Sequence, residues 1–401
     1  MTLRQPTLGL TVLLAALATI GPFSIDTYLP AFPQIGAALQ VDKLAIQQTL
    51  SIYLLTFSLM TLWHGALSDN FGRRPVILAG VAIYGLASLG CTLATSIEML
   101  WVMRALQGLS AGAGMVVSRA MVRDLYAGPT AQRLMSHIAI MFAVAPAIAP
   151  MIGGWLLGLA GWRSSFAFLT AMALLLLGVC WRLLPESLAP EKRQTLSPGP
   201  LFRAYRRVLG HAGFLATSIG IGCCFGGFFV YVLSAPVFLM KHLHLGPLDF
   251  HWLFVPAMAG MMGGSWLSSR AAGRWSTHRT LGIAFVLMAV AALINLLVST
   301  LLPPLLLPSL LPVPLYTLGM SLAMPTLTLR ALDFFPDNRG MAASCQSFLQ
   351  TMLSAGIAAF VAPALWDSRL GLALGMTGLG GLGALLILAH LRTPVFRPPS
   401  P

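Results

Sequence analysis

Polar residues in this chain gather in short clusters. Between them lie apolar runs of roughly 20 residues, the length a helix needs to cross about 30 Å of hydrocarbon. Twelve runs can be drawn, at 8–39, 45–67, 76–95, 98–122, 132–159, 161–184, 211–240, 248–270, 279–302, 305–331, 339–366 and 371–391. Several hold Gly or Pro internally, which lipid-embedded helices tolerate because neighbouring helices re-satisfy the freed backbone groups. The pattern predicts an all-α polytopic membrane protein of twelve transmembrane helices. The longest polar interval, Pro185 to Gly210, separates the sixth run from the seventh. It divides the chain into an N-terminal six-helix half (1–184), a linker (185–210) and a C-terminal six-helix half (211–401). A weak echo supports duplication: Leu67-Ser68 followed by Gly72-Arg73 returns as Leu267-Ser268 followed by Gly273-Arg274, an offset near half the chain.

Composition agrees with this reading. Hydrophobic residues make up 57% of the 401 positions and charged residues 9%, so the apolar surplus must face lipid rather than water. A net charge of +13 would point to nucleic acid if the basic residues formed a face, but they stand in the gaps between runs, where they report topology. Only Lys43, Arg163, Lys241 and Arg369 fall at one set of ends, and Arg104 falls inside a span. The rest, from Arg4, Arg73 and Arg74 through Arg182–Arg207 to Arg392 and Arg397, fall at the other. An excess of Lys and Arg marks the cytoplasmic side, so both termini and the linker are expected there. The five cysteines lie inside apolar runs with no CxxC spacing and imply neither disulfides nor a metal site. Arg4 ahead of Ala16-Leu17-Ala18 superficially matches a cleaved leader, yet with so many spans to follow the first helix is expected to be retained.

The short loop after the second run reads Gly65-Ala66-Leu67-Ser68-Asp69-Asn70-Phe71-Gly72-Arg73-Arg74. It resembles the signature G-x-L-x-D-x-x-G-R-R/K of the major facilitator superfamily. The glycines permit a tight turn, and Asp69 can accept hydrogen bonds from a helix N-terminus or from arginines across the interface between the two halves. Gly65, Asp69, Gly72, Arg73 and Arg74 are therefore candidate conformational gates, with topology anchoring as the plainer role for the two arginines. Ile25-Asp26-Thr27-Tyr28-Leu29-Pro30-Ala31, Arg104-Ala105-Leu106-Gln107-Gly108 and Ala145-Pro146-Ala147-Ile148-Ala149-Pro150-Met151-Ile152-Gly153-Gly154 extend the resemblance to the Bcr/CflA group of drug:proton antiporters. The third segment is similar to a motif associated with exporters, so export is implied by resemblance. Ala66 and His64 depart from the group's common Pro and Gln, and Ala18 and Thr19 stand where some multidrug relatives carry a second acid.

Asp26 is the one acidic residue placed well inside a run. A carboxylate in hydrocarbon costs at least about 2.5–3.5 kcal/mol, so Asp26 should face a cavity and act as proton carrier, or else serve as a partner for Arg104 or reach the headgroups. Arg104 lies about 9 Å from the outer end of its run, and Asp26 roughly 20 Å from that face if the first run is one helix. Their side chains could then meet, either as a switchable pair that tunes proton binding or as a fixed ion pair. Gly108, Ala111 and Gly112 offer a face for close helix approach. Pro146, Pro150, Gly153 and Gly154 are a candidate pivot, or simply structural. Tyr28, Tyr53, Gln107, Phe225, Phe229 and Tyr231 are candidate lining for a substrate cavity, with core packing or lipid contact as the alternative.

The resemblance implies a proton-coupled exporter of small amphipathic drugs in the cell inner membrane, and a cell metabolite is the alternative cargo. Absence of HExxH, GxSxG, paired intramembrane His or a Walker A motif argues against an enzyme or a nucleotide-driven pump. A channel would not need two pseudo-repeats with a single buried acid. The expected partners are a small-molecule substrate, protons and the lipid bilayer, with no nucleic acid, no metal and no cofactor beyond the proton gradient. The expected working unit is a monomer.

Overall fold

The computed structural model describes residues 8–126, 128–195 and 198–391. The expectations that rest on Arg4, Arg392, Arg397 and the two chain ends lie outside these residues. Where no water is available, a backbone must satisfy its own polar groups, and a chain without strand patterning does so as helix. The elements run α1 (Leu8–Asp26), a 3-10 turn (Leu29–Ala31), α2 (Phe32–Leu39), α3 (Lys43–Phe71), α4 (Arg73–Thr92), α5 (Ile97–Leu125), α6 (Gly128–Ala160) and α7 (Arg163–Leu183). After α8 (Pro198–Leu209) come α9 (Ala212–Leu233), a π segment (Pro236–His242), α10 (His251–Ala271), α11 (Thr277–Leu301), α12 (Leu306–Leu310) and α13 (Pro312–Asp333). The chain closes with α14 (Arg339–Gly356), a π segment (Ile357–Val361), α15 (Ala362–Leu365) and α16 (Arg369–Ala389). Among the described residues, 11 helices are long and apolar enough to cross a membrane. α10 falls outside that set because Gly, Ser, Trp and His dilute its apolar content, although at 21 residues it is long enough.

Two compact units emerge, Met1–Ser197 and Pro198–Pro401. Each contains six long helices with the same internal neighbours. In the first, α5 packs against α1, α3 and α4, while α1 also meets α6 and α7. In the second, α13 packs against α9, α10 and α11, while α9 also meets α14 and α16. The echo seen in the sequence has a structural counterpart: Gly72 closes α3 at φ 102° and Gly273 follows α10 at φ 72°, both in the region that favours glycine. The interval 185–210 is not uniform. Its first part packs with the N-terminal unit and its last part is the helix α8 of the C-terminal unit.

One helix departs from its expected form. The first run is not one helix from 8 to 39, because Pro30 has no N–H to donate to the Asp26 carbonyl four residues back. The chain leaves α1 at Asp26 and re-enters helix at Phe32. α6 keeps the single helix drawn for its run, 33 residues long with Pro146 and Pro150 inside it.

Candidate functional site

The break after α1 creates the site. Thr27 and Tyr28 carry the chain out of the helix, and α6 lies directly on this stretch because Gly153 has no side chain. A Cβ at Gly153 would run into the Thr27 carbonyl. Asp26 is therefore the last helical residue of α1, only 3% exposed, and its Oδ1 has no hydrogen-bond partner. Buried polar atoms are nearly always paired, so this orphaned carboxyl oxygen is a candidate position for a proton or a ligand.

Arg104 comes from α5, whose N-terminus is capped by Ser96 accepting from the Met99 N–H at 3.3 Å. The guanidinium is fully buried between two aromatic faces, 4.5 Å from the Tyr28 centroid and 4.4 Å from that of Tyr53. Its Nη1 donates to Gln107 Oε1 at 2.7 Å, with longer contacts of 3.4 Å to the Thr49 carbonyl and to the Tyr28 hydroxyl. Gln107 in turn donates to Ser88 Oγ at 2.7 Å, and the Tyr28 and Thr49 hydroxyls pair at 3.0 Å. A further hydroxyl pair, Ser24 with Tyr84 at 2.5 Å, ties α1 to α4.

Magnitudes decide how this arrangement balances. A desolvated cation–π face contributes about 0.5–2 kcal/mol, and a charge-assisted hydrogen bond about 1.5–3 kcal/mol. Together these match the several kcal/mol that burying an ion costs in real proteins. Arg104 is therefore compensated by neutral groups. The expected meeting with Asp26 does not occur: Arg104 is held by Gln107, Thr49 and the two tyrosines, and no ion pair joins it to the acid. The first helix ends at Asp26 itself, so depth counted along one continuous helix to Leu39 does not apply.

The small-residue face of α5 packs as expected. A Cβ at Gly108 would strike the Tyr53 carbonyl and one at Gly114 the Leu17 carbonyl, so α3 and α1 approach α5 closely. Tyr28, Tyr53 and Gln107, read as cavity lining, are all buried, and Tyr28 and Gln107 are engaged with Arg104. In the C-terminal unit, Phe225 stacks on Phe229 at 5.2 Å and meets Phe228 edge-on at 6.2 Å. The Tyr231 hydroxyl accepts from Asn295 Nδ2 at 2.7 Å. Asn295 escaped the sequence reading, although a lone buried amide in the apolar run of α11 was visible there.

The segment expected to be a loop is helical except for Gly72, and a second polar cluster joins this junction of α3 and α4 to the end of α7. Arg73 pairs with Asp69 at 2.6 Å and with Asp124 of α5 at 2.9 Å, and its Nη1 donates to Ser68 Oγ at 2.6 Å. The acceptor at the α4 N-terminus is not Asp69 but Glu186, which takes the Arg73 N–H at 3.0 Å and the Arg74 N–H at 3.2 Å. A carboxylate at that end complements the helix dipole. Arg74 reaches the Trp181 carbonyl at 2.6 Å, and Gln194 ties back to the loop through the Asp69 carbonyl at 3.0 Å and Asn70 at 2.9 Å. Gly72 is hemmed in by the Glu186 carboxylate and the Arg193 guanidinium, whereas Gly65 has open space around it. Gly154 is buried in α6 beside Gly153. Asp124 and Glu186 were absent from the sequence-derived candidates because nothing in their spacing links them to a loop 51 and 113 residues away.

Comparison with known proteins places this geometry in a family. The Major Facilitator Superfamily model matches residues 12–360. The chain is 32% identical over 372 residues to the MFS-type transporter YdgK of Bacillus subtilis (strain 168), covering 90% of each. It is 28% identical over 388 residues to Multidrug resistance protein D of Escherichia coli (strain K12), covering 97% of this chain and 94% of that one. Its fold matches that of a D-xylose-proton symporter with a TM-score of 0.74 at 15% identity, over 96% of this chain and 97% of the other. At that identity the likeness is one of fold.

Proposed function

From the premise that the chain belongs to the Major Facilitator Superfamily, we propose that it is a proton-coupled exporter of small amphipathic drugs, of the Bcr/CflA type. The observation that carries this reading is Asp26, a buried acid with an orphaned oxygen at the point where the first membrane helix unwinds. Broken membrane helices in transporters place substrate and ion sites at the break. A protonated Asp26 needs no counter-charge and an ionised one does, so taking up or releasing the proton favours different conformations by an amount on the order of a few kcal/mol. Arg104, already compensated by neutral partners, supplies a fixed positive potential in the same half without neutralising the acid. The loop cluster of Asp69, Arg73, Arg74, Asp124 and Glu186 then serves as a latch that conformational cycling opens and closes.

The drug assignment draws on the likeness to Multidrug resistance protein D of E. coli, and the outward direction on the exporter-like segment from Ala145 to Gly154 in α6. The protein works as a monomer in the inner membrane with both termini cytoplasmic, driven by the proton gradient alone, and does no chemistry on its cargo. A susceptibility panel on expressing cells, with and without a protonophore, tests the reading. Resistance to one or more amphipathic drugs that collapses with the protonophore is the expected result. Unchanged susceptibility across the panel would overturn the drug assignment and leave export of a cell metabolite. Resistance that survives the protonophore would overturn proton coupling.

A further inference from the structure

α8 spans 12 residues, too few to cross a bilayer, and joins the membrane helix α9 through only Gly210 and His211. Its sequence, PGPLFRAYRRVL, holds three arginines and no acid. Helical periodicity sorts these residues. Val208 is buried, and α8 packs on α9 and α14. Phe202, Arg203, Arg206 and Arg207 share the exposed side, Phe202 being 70% exposed. Arg206 and Arg207 in the last turn complement the helix dipole. That accounts for neither Arg203 in the middle of the helix nor a bare aromatic ring beside it. Among the described residues the three arginines have no ion-pair partner, while Arg270 and Arg279 of the same unit lie over the rings of Trp266 and Trp275.

We propose that the exposed side of α8 is a docking surface for anionic phospholipid, the guanidinium groups taking headgroup phosphates and Phe202 entering the acyl boundary. Three features support this occupant. The face is purely cationic, it is held at the mouth of a membrane helix, and it pairs the charges with an aromatic side chain. These are the marks of a helix lying in the plane of a membrane surface. The assignment does not depend on the cargo or on Asp26.

Native mass spectrometry of the full chain in detergent, titrated with phosphatidylglycerol or phosphatidylcholine, tests it. Each basic residue near an anionic surface changes affinity about fivefold. The triple variant R203Q/R206Q/R207Q should therefore bind phosphatidylglycerol more weakly by a factor on the order of one hundred. Phosphatidylcholine binding should not change, and the wild-type preference should shrink as salt rises. The R203K/R206K/R207K variant keeps the charge and should keep most of the preference. Circular dichroism and gel filtration establish that both variants are folded. Equal phosphatidylglycerol affinity in the wild type and the folded glutamine variant would overturn the proposal. So would displacement of the lipid by inorganic phosphate at matching concentration, which would reassign the arginines to a free anion.

Discussion

At the scale of single residues, the site separates into an acid that can change its charge and a base that is held in place. Asn is nearly isosteric with Asp but cannot carry the proton. Asp26→Asn is expected to abolish accumulation against a gradient in vesicles given an imposed pH difference, while downhill exchange persists. Accumulation at the wild-type rate would place the coupling elsewhere. Arg104 depends on a planar cation between two rings, and a lysine cannot stack or fork in that way. Arg104→Lys should lower transport by about five- to 150-fold through lost contacts of about 1–3 kcal/mol. Tyr28→Phe keeps the ring and gives up only a long contact and one hydroxyl pair, so its effect should be several-fold smaller in the same assay. Both charges were legible in the sequence, since an ionisable group in an apolar run stands out. Their separation was not, because Pro30 ends a helix that periodicity alone draws as continuous.

Between elements, the junction of α3 and α4 is locked to α5 and to the end of α7 by charge. Asp69→Asn and Arg73→Ala each remove part of that lock without approaching Asp26 or Arg104. They are expected to slow cycling between inward-open and outward-open states more than they weaken substrate binding, measured separately in vesicles and in detergent. Glu186→Gln should follow the same pattern with a smaller effect, because an amide oxygen still accepts from the α4 N-terminus but loses the dipole interaction, worth about 0.3–1 kcal/mol. Loss of binding as severe as loss of transport would assign these residues to the cargo site. The loop itself could be read from its spacing of Gly, Asp and Arg. Asp124 and Glu186 could not, since ion pairs between distant segments leave no periodic trace, and only the fold brings these two to Arg73.

Over the whole molecule, the alternation of apolar runs and basic clusters carries nearly all of the architecture, because lipid allows so few backbone solutions. What it leaves out is local: the break at Asp26 and the helix within the polar interval. The native cysteines Cys91, Cys180, Cys223, Cys224 and Cys345 are all buried, so single reporter cysteines can be read against a quiet background. An impermeant thiol reagent added outside cells should label Lys241→Cys and spare Glu191→Cys, and the reverse pattern would invert the proposed topology. The contact between Gly153 and the Thr27 carbonyl carries a further meaning in the language of codons. Any single-base change to a glycine codon that alters the residue adds a Cβ, so position 153 has no permissible neighbour in the genetic code. Gly158, five residues along the same helix, has open space where its Cβ would stand. A saturation library selected for transport should therefore return glycine alone at 153 and a mixture of small residues at 158, leaving the resting place of α6 on the broken helix as a fixed point while its surroundings drift.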